Sequence, residues 1–233
     1  AMPGNSTFTG PTNIAVPSYA QACGGATCIP QSGTSQQLDS LADRLMYRLS
    51  YRNFGSYESL VVDHAVTSGS SVGMRWYEIR NPAGIPTLNQ SGTYAPDGNY
   101  RWMGSIAQDK AGDMAMGFSI SSSSTHPGIS YTGHLATDPA GTMGQGETSL
   151  IVGAGSQTGQ NLSRWGDYSS MTVDPIDDCT FWYTNEYIPS NGAFNWKTRI
   201  GSFTFPSCNS SPTPTPTPTN TPTPTNTPTP TPT

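Results

Sequence analysis

A short unit recurs three times along this chain and narrows its fold more than any other feature. Ser59-Leu60-Val61-Val62-Asp63 returns as Ser105-Ile106-Ala107-Gln108-Asp109 and again as Ser170-Met171-Thr172-Val173-Asp174. Each copy reads as a brief apolar strand that closes on Asp, followed by a turn: Lys110-Ala111-Gly112-Asp113 in the second copy, Pro175-Ile176-Asp177-Asp178 in the third. An aromatic strand comes next, at Met74-Arg75-Trp76-Tyr77, Ala115-Met116-Gly117-Phe118-Ser119 and Thr180-Phe181-Trp182-Tyr183-Thr184. A further strand follows around Thr93-Tyr94, Ile129-Ser130-Tyr131 and Thr198-Arg199-Ile200. The copies begin 46 and 65 residues apart (59 to 105, 105 to 170), the size of a four-stranded propeller blade plus variable loops. The expected fold is all-β: a β-propeller-like arc of about three four-stranded blades over residues 38–208. A closed ring takes at least about four blades, so the expected arc is incomplete. Its open sheet edges call for blades upstream or for other chains.

Composition supports a β-rich domain with an extended tail. Hydrophobic residues are 33% and charged residues 11%, against about 45–50% and about 25% in ordinary globular domains. Five Trp, eleven Tyr and seven Phe still supply enough buried area for a core. Ten Lys+Arg, spread evenly under a net charge of −5, make no basic stripe, which excludes a nucleic-acid binder. No run of about 20 apolar residues is present to span a membrane. The four cysteines form two groups: Cys23 and Cys28 flank a Gly-rich loop, and Cys179 and Cys208 lie near strand-like sequence. Neither group has the nearby histidines or second close pair that zinc requires, so two disulfides in an oxidising compartment are expected.

Residues 1–37 read as an extended segment carrying the Cys23-Cys28 loop, with Asn13-Ile14-Ala15-Val16 its one candidate strand. Leu38, Leu41, Leu45 and Leu49 fit a helical period, but Leu45, Tyr47, Leu49 and Tyr51 also alternate, with Arg44, Arg48 and Arg52 on the other face. A strand over about 44–51 is the favoured reading. Residues 209–233 are a Pro-Thr-rich linker or stalk, expected as a polyproline-II rod about 70 Å long with threonines open to O-glycosylation. The opening Ala1-Met2-Pro3-Gly4 carries no leader, as expected of a mature form or a piece of a longer protein.

Several stretches are distinctive: Leu45-Met46-Tyr47-Arg48-Leu49, Arg101-Trp102-Met103-Gly104-Ser105-Ile106, Ser130-Tyr131-Thr132-Gly133, Arg164-Trp165-Gly166-Asp167-Tyr168-Ser169-Ser170-Met171 and Asp177-Asp178-Cys179-Thr180-Phe181-Trp182-Tyr183-Thr184. On these, residues 14–208 resemble the C-terminal part of large, secreted, mostly uncharacterised bacterial proteins with a propeller-like fold. The tail resembles linkers of modular extracellular proteins. The resemblance implies a secreted or cell-surface location and a β-propeller-like fold, and carries no reaction with it.

Among candidate sites, the repeated Asp63, Asp109 and Asp174 are expected to cap turns, since a catalytic pair needs two different roles while these recur as one. Arg164-Trp165-Gly166-Asp167-Tyr168 is the best binding candidate: aromatic faces stack on sugar rings or peptide side chains, and Arg and Asp anchor polar groups. Arg101-Trp102 occupies the equivalent place one blade earlier, and Glu186 joins the set as a rim carboxylate. The competing reading is that these residues pack blade against blade. His64, His126 and His134 are scattered. Asp174, Asp177 and Asp178 offer oxygen ligands for Ca²⁺, yet a turn cluster is commoner; no cofactor or metal is expected, and no catalytic residue is assigned. The leading expectation is a non-catalytic extracellular binding or adhesion module for glycans or surface proteins. The alternatives are an assembly subunit that self-associates through open sheet edges, with the segment around Thr12 to Val16 as the reaching strand, and a glycosidase using Asp167 and Glu186.

Overall fold

The computed structural model describes Gly4 and residues 10–208. The Pro-Thr linker expected at 209–233 lies outside the described residues, as does most of 1–9. The described chain is all-β. Strands β1 (Thr27–Gln31) and β2 (Thr34–Asp39) form a hairpin. Strands β3 (Ser50–Asn53), β4 (Glu58–Ser68), β5 (Ser71–Arg80) and β6 (Thr87–Tyr94) form a first antiparallel sheet in chain order. Strands β7 (Tyr100–Gln108), β8 (Met114–Ser122), β9 (Thr125–His134) and β10 (Glu147–Ile151) form a second in the same way. Strands β11 (Ser170–Val173), β12 (Phe181–Tyr187) and β13 (Lys197–Phe203) form a third. Two sheets therefore have four strands and the third has three. None closes into a barrel.

The second sheet is the middle layer, which explains why β7 and β8 are buried along nearly their whole length. A strand covered on both faces loses the alternation of a half-exposed one. On one face Ile106, Met114, Met116 and Phe118 pack with Val61, Met74 and Trp76 of the first sheet and with Ile29 and Leu38 of the hairpin. On the other, Ala107, Ala115 and Ile129 pack with Met171, Phe181 and Tyr183 of the third. The contact with the third sheet is close enough that a Cβ on Gly117 would collide with the Tyr183 ring. Buried polar groups are paired within the first sheet, where Glu78 accepts from Arg80, Asn89 and Gln90 (2.7–2.9 Å), and across to the second, where Gln90 reaches His134 at 3.3 Å.

Hydroxyl bonds join the first strands of successive sheets. Ser50 Oγ donates to the Ile106 carbonyl at 3.0 Å, Met171 N–H donates to Ser105 Oγ at 2.9 Å, and Ser169 Oγ donates to the Met103 carbonyl at 2.9 Å. This corrects the repeat. Ser105 and Ser170 do lie on first strands, but Ser59–Asp63 lies on β4, the second strand of its sheet. The matching segment is Ser50-Tyr51-Arg52-Asn53, and the spacing becomes 55 and 65 residues (50 to 105, 105 to 170). Asp109 and Asp174 cap turns as expected: Asp109 Oδ1 accepts from the Ala111 and Asp113 amides, and Asp174 Oδ1 from that of Ile176.

Asp63 does not cap a turn. It sits in mid-strand opposite Trp76, fully buried, with Oδ2 unpartnered among the described residues and pressed against Gly104, where a Cβ would collide with it. Burial pushes its carboxyl well above the ordinary range. A raised folded-state pKa means that Asp63 favours folding at pH values below the unfolded pKa, and this contribution is lost as pH rises through the folded one. Asp109, buried beside Asp113 and pushed up to about 6, acts in the same direction. His64, pushed down to about 4 by burial, acts oppositely, losing stability as pH falls from its ordinary value toward 4. Asp63→Asn should therefore gain on the wild type more at pH 8 than at pH 4. Urea melts at the two pH values check this, and a pH-independent difference contradicts it.

Other expectations change. Asn13–Val16 forms no strand, and the N-terminal segment is instead tied down by an isolated bridge between Gln21 and Val66. The strand expected at 44–51 is confined to β3, and no helix forms across Leu38–Leu49. The expected alternation does not hold ahead of β3, because burial falls on every fourth residue, Ala42, Met46 and Ser50, while Arg44 and Arg48 are exposed. Met46 and Ser50 are buried (3% and 8% exposed), while Leu45, Tyr47, Leu49 and Tyr51 are 50–55% exposed. Both expected disulfides, Cys23–Cys28 and Cys179–Cys208, are present.

Candidate functional site

An open groove lined by several of the binding candidates lies beside the third sheet. Arg164, Trp165, Gly166 and Asp167 approach from the segment before β11, Glu186 projects from β12, and Phe194 and Trp196 come from the β12–β13 loop. Together they line a groove of about 290 Å³. The loop is fixed by main-chain bonds to 156–158: Gly192 N–H donates to the Ser156 carbonyl and Thr158 N–H to that of Gly192. Asn191 Oδ1 accepts from the Ser156 amide. Phe194 stands in the left-handed region at φ 55°, a conformation bulky residues seldom adopt and one that concentrates at binding sites.

Charge in the groove is organised. Arg164 Nη2 donates to both oxygens of Asp167 at 3.0 Å. Glu186 Oε1 accepts from the Gly166 amide at 2.8 Å. Burial pushes the Glu186 carboxyl up; the Gly166 amide opposes this and the Asp167 charge adds to it. The result is a carboxyl with raised proton affinity beside a paired carboxylate, in a groove also lined by two aromatic rings that are 63% (Phe194) and 49% (Trp196) exposed.

The sequence-derived candidates divide. Arg164, Trp165, Asp167 and Glu186 are brought together, but Trp165 is the groove's floor and not its ligand platform. It is 2% exposed, its Nε1 donates to Ser119 Oγ at 2.9 Å, and its ring lies 5.7 Å from that of Trp102. Tyr168 is exposed outside the groove, with its ring 6.5 Å from Tyr47. Arg101 and Trp102 are interior residues, which corrects the expectation of a rim site there. Arg101 is 1% exposed, ion-paired to Asp97 (2.8 Å) and Glu147 (2.6 Å), with its guanidinium over the Tyr94 and Phe118 rings. Trp102 is fully buried. Phe194 and Trp196 were missed; their signal was two aromatics inside a Ser-, Asn- and Gly-rich loop, where burial gives no reason for them.

The other polar candidates serve local structure. Asp177 accepts from the Cys179 and Thr180 amides and the Thr180 hydroxyl, Asp174 Oδ2 from Trp182 Nε1, and Asp178 pairs with Arg52. His126 Nδ1 meets Ser156 Oγ at 2.9 Å, while that hydroxyl donates to the Ser32 carbonyl. Among the described residues no group of three or more His, Cys, Asp or Glu is placed to hold a metal ion, and no helix is long and apolar enough to cross a membrane. The chain matches no protein-family profile, no curated protein and no solved structure.

Proposed function

We propose that this chain is an extracellular glycan-binding module whose three stacked sheets form a propeller-like arc and whose ligand site is the groove lined by Phe194 and Trp196. The carrying observation is the pairing of those two exposed rings with Arg164, Asp167 and Glu186 in one open groove. Aromatic faces offer apolar area to the C–H faces of a sugar ring at little entropic cost, while carboxylates and a guanidinium satisfy its hydroxyls. Two disulfides and a Pro-Thr linker suit an oxidising, extracellular setting and a module carried on a spacer. The arc reading draws on the shared strand order of the sheets and on the hydroxyl bonds between their first strands.

Trp196→Ala is the appropriate variant, because the side chain is half exposed and its removal leaves the core intact. On a glycan array, binding by the wild type should fall about tenfold or more in Trp196→Ala with an unchanged melting temperature. A wild type that binds no glycan, or a variant that binds equally well, contradicts the proposal.

The raised proton affinity of Glu186 beside Asp167 supports a second reading, glycoside hydrolysis, with Glu186 as proton donor to the leaving oxygen and Asp167 as base. Turnover of aryl glycosides that is lost in Glu186→Gln would favour it over binding alone.

A further inference from the structure

The row of side chains that brings Glu186 into the groove continues along β12. Phe181, Tyr183 and Asn185 are buried, whereas Trp182, Thr184 and Glu186, of the opposite parity, lie on the other face of the third sheet. Register sets Ser202, Ile200 and Thr198 of β13 beside those three in turn, and Thr172 of β11 on the far side of Trp182. Trp182 is 42% exposed and Ile200 is 66% exposed. Four residues separate Trp182 from Glu186, about 14 Å at the usual rise of a strand. The Trp182 ring is also held in place. Its Nε1 donates to Asp174 Oδ2 at 3.0 Å, and Asp174 Oδ1 in turn accepts from the Ile176 amide. The outer face thus runs from the groove, with Trp196 in its wall, to a second exposed indole that is fixed in orientation.

The chemistry of this face selects its occupant. The inner face of the same sheet packs on the second sheet through Met171, Phe181 and Tyr183, as a stacked layer requires. The outer face instead sets threonine and serine hydroxyls around two apolar spots, Trp182 and Ile200. Glu186 is the one charged strand residue on it, since Lys197 and Arg199 have the opposite parity. A further sheet needs more apolar area than this, and a charged partner needs complementary charge. A neutral sugar chain meets both features, with C–H faces for the indoles and Ile200 and hydroxyls for Thr172, Thr184 and Ser202. Glu186 belongs to both the groove and the row, so a chain that outgrows the groove continues onto the face. A straight row of this length exceeds one sugar ring and favours a ribbon-like chain over a coiled one. We propose, resting on the glycan-binding reading of the groove, that the outer face of the third sheet extends that site. Its ligand is then a neutral, extended β-1,4-linked polysaccharide that runs from Trp196 to Trp182.

Calorimetric titration of the whole chain with cellobiose and cellohexaose tests this. Cellohexaose should bind about tenfold or more tighter than cellobiose. Trp182→Ala should abolish that preference, weakening cellohexaose about tenfold while leaving cellobiose affinity and the melting temperature unchanged. Ile200→Ser, on the neighbouring strand, should weaken cellohexaose with the same selectivity. Trp196→Ala should weaken both sugars. Equal affinity for the two sugars, a preference that survives Trp182→Ala, or binding of neither while Trp196 holds another glycan overturns the extension and leaves the groove reading standing. Indifference of both sugars to Trp196→Ala overturns the groove reading and the extension with it. Dimerisation that Trp182→Ala abolishes, followed by light scattering, assigns the face to a second copy of the chain and likewise overturns the proposal.

Discussion

Trp165→Ala should cost about 3–5 kcal/mol of folding stability, a large share of the roughly 5–15 kcal/mol that holds a typical domain together. The indole is the meeting point of several elements. It belongs to the cluster that joins the first sheet, the second sheet and the β1–β2 hairpin, lies against Trp102 at 5.7 Å, and bonds Ser119 on β8. Alanine leaves a cavity beneath the groove that rigid neighbours on two sheets cannot close. Ser119 Oγ also loses one of its two donors, keeping only Asn185 Nδ2. Urea denaturation measures the loss, and a cost below about 1 kcal/mol contradicts the core placement. Loss of ligand binding in this variant reports damage to the floor and carries no information on recognition.

Removing the Cys179–Cys208 crosslink by a double Cys→Ser change should cost about 3–4 kcal/mol through the loop it closes, given a separation of 29 residues. This bond fastens the chain after β13 to the turn before β12, so its loss releases the third sheet's last strand toward fraying. The Cys23–Cys28 bond spans only 5 residues and should contribute about 2 kcal/mol. The order of the two losses is the informative result: a larger cost for Cys23–Cys28 contradicts the loop-closure account.

The sheets were legible in the sequence because turn chemistry and aromatic strands repeat with them, as at Asp109 to Asp113 and Phe181 to Tyr183. Their phase was not. The apolar run Leu60-Val61-Val62 on β4 resembles a first strand more than Ser50-Tyr51-Arg52 does, because β3 is a sheet edge and needs no apolar run. Edge position also explains Leu45 to Tyr51. Only Ala42, Met46 and Ser50 are covered there, and Arg44 and Arg48 are exposed together with Leu45, Tyr47 and Leu49, so the segment leading into the edge strand has no covered period-two face. Arg101 misled for a related reason. A guanidinium in an apolar strand suggests a rim anchor, whereas its burial is compensated by Asp97 four residues before it and by the distant Glu147, 46 residues on. The groove was half legible: Arg164, Asp167 and Glu186 stand where local patterning placed them, whereas Phe194 and Trp196 depend on how the β12–β13 loop folds back on 156–158.

The most direct test of the glycan-binding groove uses the indoles themselves. Trp76, Trp102 and Trp165 are buried, and Trp182 and Trp196 are the exposed pair, so Trp182→Phe leaves Trp196 as the one solvent-facing reporter. Titrating that variant with the oligosaccharide that binds best on the array should shift its emission to the blue and shield it from acrylamide, with a midpoint that matches the calorimetric Kd. Calorimetric binding that leaves Trp196 quenching unchanged would place the ligand elsewhere and contradict the account.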